Sequence, residues 1–510
     1  MIVHVLKKDV RRLWPAVIVT LILLAMLAHA DWWRADPTPG QTEAWLNLLL
    51  PFAWACLIAL LIQEEPLVGD RQFWITRPHR WPQLLAAKLI FVLLFVHLPA
   101  LAADAMILAM RGFPPLQYLP QLLGKQALLA GALTLPALAV AAVVRSFTHF
   151  VLAAFGVAAE VLFLAGFDTP FPWHPVDDVR QGLAVILLTA VAVAVIGLQY
   201  GGRRTLVSRC LAVAAALIAG AVSGYLPATS AFAVQAEVSP LHPQLSLRLV
   251  PRSEKLPPDW NRDRVMVAIP VDVSGIPAPD SAFLEQLELE IDTPAGDRQQ
   301  SAPPRVQSRD FDKRLLEAYL IPWNPLNDSS GRWLELRFTR ATYDRFRNAR
   351  VGITARAGVT MYRPGTKTWM PVGGPVDAPG AGHCSAAVVE GRFAEQMLKV
   401  LCESPSEIPI GTRVTVWHPE SGQEWKQGWG GARPYYRGLG GTWLSPLHRG
   451  MTYFNLDSSG RAEKYQIPMG ALATAKISIA PIQITGYAVL PYRLDGISLA
   501  EYVVPPQPGR

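Results

Sequence analysis

The densest run of chemically capable side chains lies between residues 63 and 88: Gln-Glu-Glu-Pro-Leu-Val-Gly-Asp-Arg-Gln-Phe-Trp-Ile-Thr-Arg-Pro-His-Arg-Trp-Pro-Gln-Leu-Leu-Ala-Ala-Lys. Its aromatic rings, Phe73, Trp74 and Trp81, can enter a lipid headgroup region, while Arg71, Arg77 and Arg80 can meet anionic lipid or an acidic partner. Pro78 and Pro82 stiffen the backbone between them. The segment therefore reads either as an amphipathic loop lying on a membrane or as a surface built for a protein partner. Further along, Glu160 sits inside an apolar run, where a charge is costly and often functional. It could line a transport path or be a protonated or paired packing residue. Asp104 lies two helical turns from Arg111, a candidate partner near a solvated interface. His97 reads as a hydrogen-bonded interior residue rather than a metal ligand.

Enzymatic chemistry finds little support. A phosphate loop needs Gly-x-x-x-x-Gly-Lys-Ser/Thr, and Arg363-Pro364-Gly365-Thr366-Lys367-Thr368 separates its Gly from its Lys. No spacing matches a structural zinc site, and no Ser-His-Asp or paired-carboxylate arrangement stands out. Cys384 follows His383, but a nucleophile and its base must meet in space, which chain adjacency does not provide. No catalytic, cofactor-binding or metal-ligating residue is expected, and the chain is not read as an enzyme.

The elements that carry these residues follow from composition. Of 510 residues, 51% are hydrophobic and 17% charged, against about 25% charged in an ordinary soluble protein. The apolar excess is concentrated in seven segments, approximately 13–30, 44–63, 88–110, 124–144, 148–167, 182–200 and 208–228. Crossing about 30 Å of hydrocarbon takes about 20 mainly apolar residues in a helix. The expectation is a helical membrane domain of about seven spans over residues 1–228. A basic start and Ala28-His29-Ala30 before Asp31 also imitate a cleavable signal peptide, a rival reading of the first segment that leaves the downstream topology unchanged.

Orientation follows from Lys and Arg in the short connections. With the N-terminus inside, the cytoplasmic side holds Lys7, Lys8, Arg11, Arg12, Arg71, Arg77, Arg80, Lys88, Arg145, Arg203, Arg204 and Arg209, whereas the opposite side holds only Arg34, Arg111, Lys125 and Arg180. Everything after residue 228 is then expected outside the cytoplasm. The formal charge of +7 is mostly topological, and no basic face suited to nucleic acid is expected.

Beyond residue 228 the pattern changes to short alternating runs, near 245–250, 264–273, 287–291, 333–339, 351–361, 412–418 and 476–490. Such runs predict antiparallel strands, and ten or so of them predict sandwich architecture. The length favours two sandwich-like modules, 229–375 and 376–510, divided in the Pro/Gly-rich stretch from Pro371 to Gly382. Asp-Ser-Ser-Gly-Arg recurs at 328–332 and 457–461, either a trace of duplication or two tight turns of similar chemistry. An oxidising exterior makes a Cys384–Cys402 disulfide the default. Cys56 and Cys210, inside apolar segments, read as packing residues.

Over about residues 1–200 the layout resembles the permease subunits of type-2 ATP-binding-cassette (ABC) transporters. Those have a basic amphipathic N-terminus, six spans and, between spans two and three, an acidic residue, a Gly, a hydrophobic-aromatic pair, Arg/Leu-Pro and a Lys opening span three. Glu64 or Glu65, Gly69, Phe73, Trp74, Arg77, Pro78 and Lys88 occupy those places. The connection Asp168-Thr169-Pro170-Phe171-Pro172-Trp173 falls where such permeases carry short exterior helices. The resemblance implies that this segment couples to a separate ATPase subunit, which alone would bind ATP. It also implies a homo- or heterodimer of membrane subunits with two ATPase subunits docked on residues 1–14 and 64–88. The seventh span and the β region are additional to that pattern. The expected setting is a bacterial cytoplasmic membrane with a periplasmic or extracellular β region. The other reading is a non-transporting, membrane-anchored binding or sensing protein.

Overall fold

The computed structural model describes residues 2–33, 41–65, 81–166, 175–226, 228–238, 246–249, 264–278, 280–292, 298–300, 316–320, 333–390, 396–405, 411–426, 444–457 and 467–503. Its first half is helical: α1 (Ile2–Trp33), α2 (Gln41–Gln63), α3 (Trp81–Met110), α4 (Pro115–Val143), α5 (Phe147–Gly166), α6 (Pro175–Gly202) and α7 (Thr205–Tyr225). All but α5 contain stretches long and apolar enough to cross a membrane; of α5, the described apolar part is Phe147–Gly156. Pro15 and Pro51 lie inside α1 and α2, well past their first turns, a placement that spanning helices tolerate.

Helix α1 shows why the bundle forms. Its buried residues Val5, Asp9, Leu13, Val17, Thr20, Leu27 and Asp31 recur at three- and four-residue steps or their multiples, which places them on one face. The opposite face exposes Val3, Trp14, Ile18, Ile22 and Met26, as a lipid-facing surface requires. Trp32, Trp33 and Trp45 are likewise exposed at helix ends, where half-polar rings favour an interface. Trp54, Leu57, Ile58, Leu61, Phe91 and Val96 fill the centre between the helices.

A short helix, α8 (Ala228–Val238), leads into the β region. Its Phe232 is buried and meets Tyr487 edge-on at a ring separation of 5.6 Å. The strands form sheets of four, five and seven. The four-stranded sheet packs on one part of the seven-stranded sheet around Val267, Leu336, Phe338, Ile353 and Val359. The five-stranded sheet packs on another part around Leu398, Val400, Val414, Val416 and Ile477. Two sandwich-like cores result.

They are not two beads on a string. The strand Lys476–Ser498 pairs with Gly411–Trp417 through its first part and with Arg350–Pro364 along most of its length. Its Ile477 and Ile479 enter one core and its Leu490 and Ile497 the other. The seven-stranded sheet thus crosses the boundary expected near residue 375. Nor is Pro371–Gly382 an open connection, since Pro375–Ala378 is a strand paired with Gly382–Ser385. Gly382, at φ +80°, is the residue that closes this turn; a Cβ there would strike the Glu403 main chain. Of the two Asp-Ser-Ser-Gly-Arg strings, only Asp457 lies within the described residues.

Candidate functional site

The two buried acids of α1, Asp9 and Asp31, are 22 residues apart, about 33 Å at 1.5 Å per residue. That distance matches a hydrocarbon core. Each acid anchors a separate cluster of charges.

At the N-terminal end of the bundle, Asp9 Oδ2 accepts a hydrogen bond of 2.9 Å from Lys88 Nζ, and both side chains are essentially fully buried. Lys88 also pairs with Glu65, which Lys8 approaches from its other side. Arg12 Nη1 lies 2.8 Å from Glu64 Oε2. Three cations face three anions, so the cluster is neutral as a whole, the condition for holding charges out of water. The two glutamates have opposite characters. Burial pushes the Glu64 carboxyl above its ordinary range, and Arg12 opposes this incompletely. Burial also acts on Glu65, but Lys88 and Lys8 outweigh it and hold that carboxyl below the ordinary range.

Neighbouring helices are tied to the same end. Gln63 Nε2 donates to the Ala141 and Val144 carbonyls at 3.0 and 3.2 Å, and Arg209 Nε donates to the Val143 carbonyl at 2.9 Å. These donors satisfy carbonyls that the C-terminus of α4 leaves without intrahelical partners.

At the other end, Asp31 Oδ1 accepts from Arg449 Nη1 at 2.6 Å and Asp31 Oδ2 from the Ser445 hydroxyl at 2.7 Å. Arg449 Nε donates to Glu403 Oε1 at 2.7 Å, and Glu403 Oε2 accepts from Arg111 Nη1 at 3.1 Å. The result is an alternating chain, Asp31–Arg449–Glu403–Arg111, that begins and ends on the helical domain and passes through the β region between. Burial works against the Arg449 guanidinium, yet Asp31 and Glu403 outweigh it and raise its pKa. Nearby, Lys125 donates to both Asp104 oxygens at 2.7 and 2.8 Å and to the Leu444 carbonyl. A cavity of about 20 Å³ lies between α1, α2, α3 and the 444–445 segment, lined in part by Asp31, Asn47, Asp104 and Ser445. It has room for one water.

Of the segment singled out in the sequence, Glu64, Glu65 and Lys88 are brought together. Gly69, Phe73, Trp74, Arg77 and Pro78 lie outside the described residues, as does the side chain of Glu160. So do residues 168–173 as a structured connection. Lys88 does not open its helix. Helix α3 begins at Trp81, and Lys88, two turns in, points into the cluster. The expected Asp104–Arg111 pair is replaced: Asp104 takes Lys125 from α4, and Arg111 reaches out to Glu403 and the Trp32 carbonyl. Helix antiparallelism brings Lys125 beside Asp104, whereas Arg111 has already left the helix.

Cys384 and Cys402 form a disulfide, which removes Cys384 as a nucleophile. They sit directly opposite each other on the antiparallel strands Gly382–Glu390 and Gln396–Ser404. His383 pairs with Asp377 and stacks on Phe113, with ring centroids 4.1 Å apart. Cys56 is partly buried and Cys210 exposed, both as free thiols. Among the described residues no group of three His, Cys, Asp or Glu is placed to hold a metal ion.

The residues that sequence reading missed are Asp9, Asp31, Glu403 and Arg449. Asp9 carried a signal, since it falls four residues from both Val5 and Leu13 on the apolar stripe. Glu403 and Arg449 carried none, because their partners are remote in the chain. No protein-family model matches this sequence, and no curated protein matches it.

Proposed function

We propose that this chain is the membrane subunit of an ABC-type transport system, driven by a separate ATPase and carrying an exterior β domain for substrate or partner interaction. One observation carries the reading. Both ends of the 66–80 connection, at Glu64–Glu65 and at Lys88, are pinned to α1 in one neutral ion cluster. A load applied to such a connection is passed to three helices together, as a docking surface for a motor subunit requires. At the opposite end the Asp31–Arg449–Glu403–Arg111 chain fixes the β region to α1 and to the end of α3, so movement of the helices would be felt outside.

In this reading the N-terminus and residues 64–88 face the cytoplasm, the β domain faces the periplasm or exterior, and two membrane subunits assemble with two ATPase subunits. The chain itself performs no hydrolysis; ATP is bound by the partner. The tight attachment of the β region also suits a sensing protein that does not transport, and the same experiment separates the two. The full-length chain is purified in mild detergent with its candidate ATPase and reconstituted into vesicles. Recovery of a stable complex whose ATP hydrolysis rises on reconstitution supports the proposal. Absence of any nucleotide-hydrolysing partner, together with no ATP-dependent transport, overturns it. Protease added to spheroplasts is expected to cut within 229–510 and spare 64–88.

A further inference from the structure

The cavity between the helical domain and the 444–445 segment holds a polar atom that neither charge cluster explains. Asn47, less than two turns into α2, lines this cavity and is only 4% exposed. Its Nδ2 donates to the Glu43 carbonyl one turn earlier, at 2.9 Å. A carbonyl can only accept, so this bond fixes which end of the amide is nitrogen. Asn47 Oδ1 is then a buried acceptor with no hydrogen-bond partner among the described residues. Burying a polar atom in that state is costly, and an atom so placed calls for a group that completes it.

The rest of the wall narrows what that group can be. Asp104, from α3, is also 4% exposed and accepts two hydrogen bonds from Lys125, of about four that a carboxylate can accept. Asp31 adds a second carboxylate, held by Arg449 and Ser445. The nearby donors are spent elsewhere. The Ser445 hydroxyl gives its one hydrogen to Asp31, and the Lys125 ammonium gives its three to the two Asp104 oxygens and the Leu444 carbonyl. What remains facing inward is oxygen. A water molecule can give hydrogens to Asn47 Oδ1 and Asp104, but neither this hydroxyl nor this ammonium has a hydrogen left for its own oxygen. A cation needs oxygens alone.

Size and charge select the cation. The space, about 20 Å³, takes one water-sized guest. Calcium gathers about six to eight oxygens, and magnesium keeps several of its waters, more than this wall and volume supply. Lys125 and Arg449 already offset the two carboxylates, so a double charge gains little there. We propose that Asn47 and Asp104 form a site for one monovalent cation of the size of Na+. Asn47 Oδ1 and the Asp104 carboxylate ligate it, Asp31 supplies negative charge beside it, and Leu444 and Ser445 cover it from the β region. The ion ties α2, which the Asp31–Arg449–Glu403–Arg111 chain does not reach, into the junction between the two domains. The inference goes beyond the transport reading and holds whether or not an ATPase drives the protein.

The test is binding of radioactive sodium to the full-length protein in mild detergent, read by scintillation proximity, with choline chloride holding the ionic strength constant. The proposal expects saturable binding of one Na+ per chain that unlabelled Na+ displaces and choline does not. N47L, which removes the acceptor and fills the space, is expected to weaken binding about tenfold or more. Should that variant not fold, A103V narrows the same cavity from α3 and leaves every charge in place, with the same expected loss. A wild-type protein that shows no saturable sodium binding holds water alone in this cavity, and the proposal is overturned. Binding that a folded N47L or A103V leaves unchanged belongs to another place on the protein and overturns it equally.

Discussion

Arg449 and Asp31 are 418 residues apart in the chain, yet Nη1 of one lies 2.6 Å from Oδ1 of the other, and both are buried. The pair joins the last turn of α1 to the strand His448–Asp457. Arg449 continues to Glu403, beside the Cys384–Cys402 bridge, and Glu403 to Arg111 at the end of α3. The β region is thus attached to the helices by paired charges on elements far apart in sequence, in addition to the peptide link through α8.

Arg449→Ala leaves Asp31 and Glu403 buried without their shared cation. Removing one partner of a buried pair costs about 3–5 kcal/mol. The expected result is faster hydrogen exchange in 396–404 and 448–457 and at the end of α1, with the 81–92 segment unchanged. Unchanged exchange at both strands would show that the network does not hold the domains together.

Lys88→Ala strands Asp9 in the same way and is expected to cost about 3 kcal/mol, read as a lower unfolding midpoint in a fixed detergent. Lys88→Met combined with Asp9→Asn removes both charges and their desolvation together. That double variant is expected to recover most of the loss, and a double-mutant cycle measures the coupling. Additive losses would contradict the pairing.

Glu64 and Glu65 are adjacent but should respond oppositely to pH. Glu65 titrates below its ordinary 4.5 in the folded protein, so its stabilising contribution is complete above that pH and is lost as pH falls through the folded-state value. Glu64 titrates above 4.5. Its ionisation therefore weakens the fold as pH rises from the unfolded value through the folded one. At pH 7, Glu65→Gln is expected to destabilise by about 3 kcal/mol, through the partner it takes from buried Lys88. Glu64→Gln is expected to be near neutral or slightly stabilising. Comparison of unfolding midpoints at pH 5 and pH 7 checks the ordering, and equal losses from both variants would refute it.

Four cysteines are present, and two are bridged. Thiol labelling of the denatured, unreduced protein should modify only Cys56 and Cys210, and labelling after reduction should modify all four. Serine at both Cys384 and Cys402 should lower stability by about 3 kcal/mol for a loop of this length. It should also loosen the strand that carries Glu403. Four reactive thiols before reduction would be incompatible with the bridge.

Much of the fold was legible locally. All seven alternating runs named from the sequence are strands, among them Arg264–Ser274, Trp333–Thr339 and Lys476–Ser498. The whole five-stranded sheet was not. Two of its strands, Gly382–Glu390 with Ser385-Ala386-Ala387 and the short Pro375–Ala378, combine small residues, Pro and Gly, whose weak strand preference is overridden by pairing with neighbours. The helices start earlier than their apolar runs because their first turns are polar or aromatic, as at Trp81 and Pro115.

The sequence alone determined that the first half forms long apolar helices and the second half forms strands. Burial over a run of about 20 residues, or alternation with period two, is a property of consecutive side chains. It also marked Glu64, Glu65 and Lys88 as a group, because they flank one connection. Only the tertiary structure decided that Lys88 chooses Asp9, that Asp104 chooses Lys125 over the nearer Arg111, and that Asp31 meets Arg449. A buried charge takes whichever opposite charge the packing delivers within hydrogen-bond reach, and that is set by which helices and strands become neighbours.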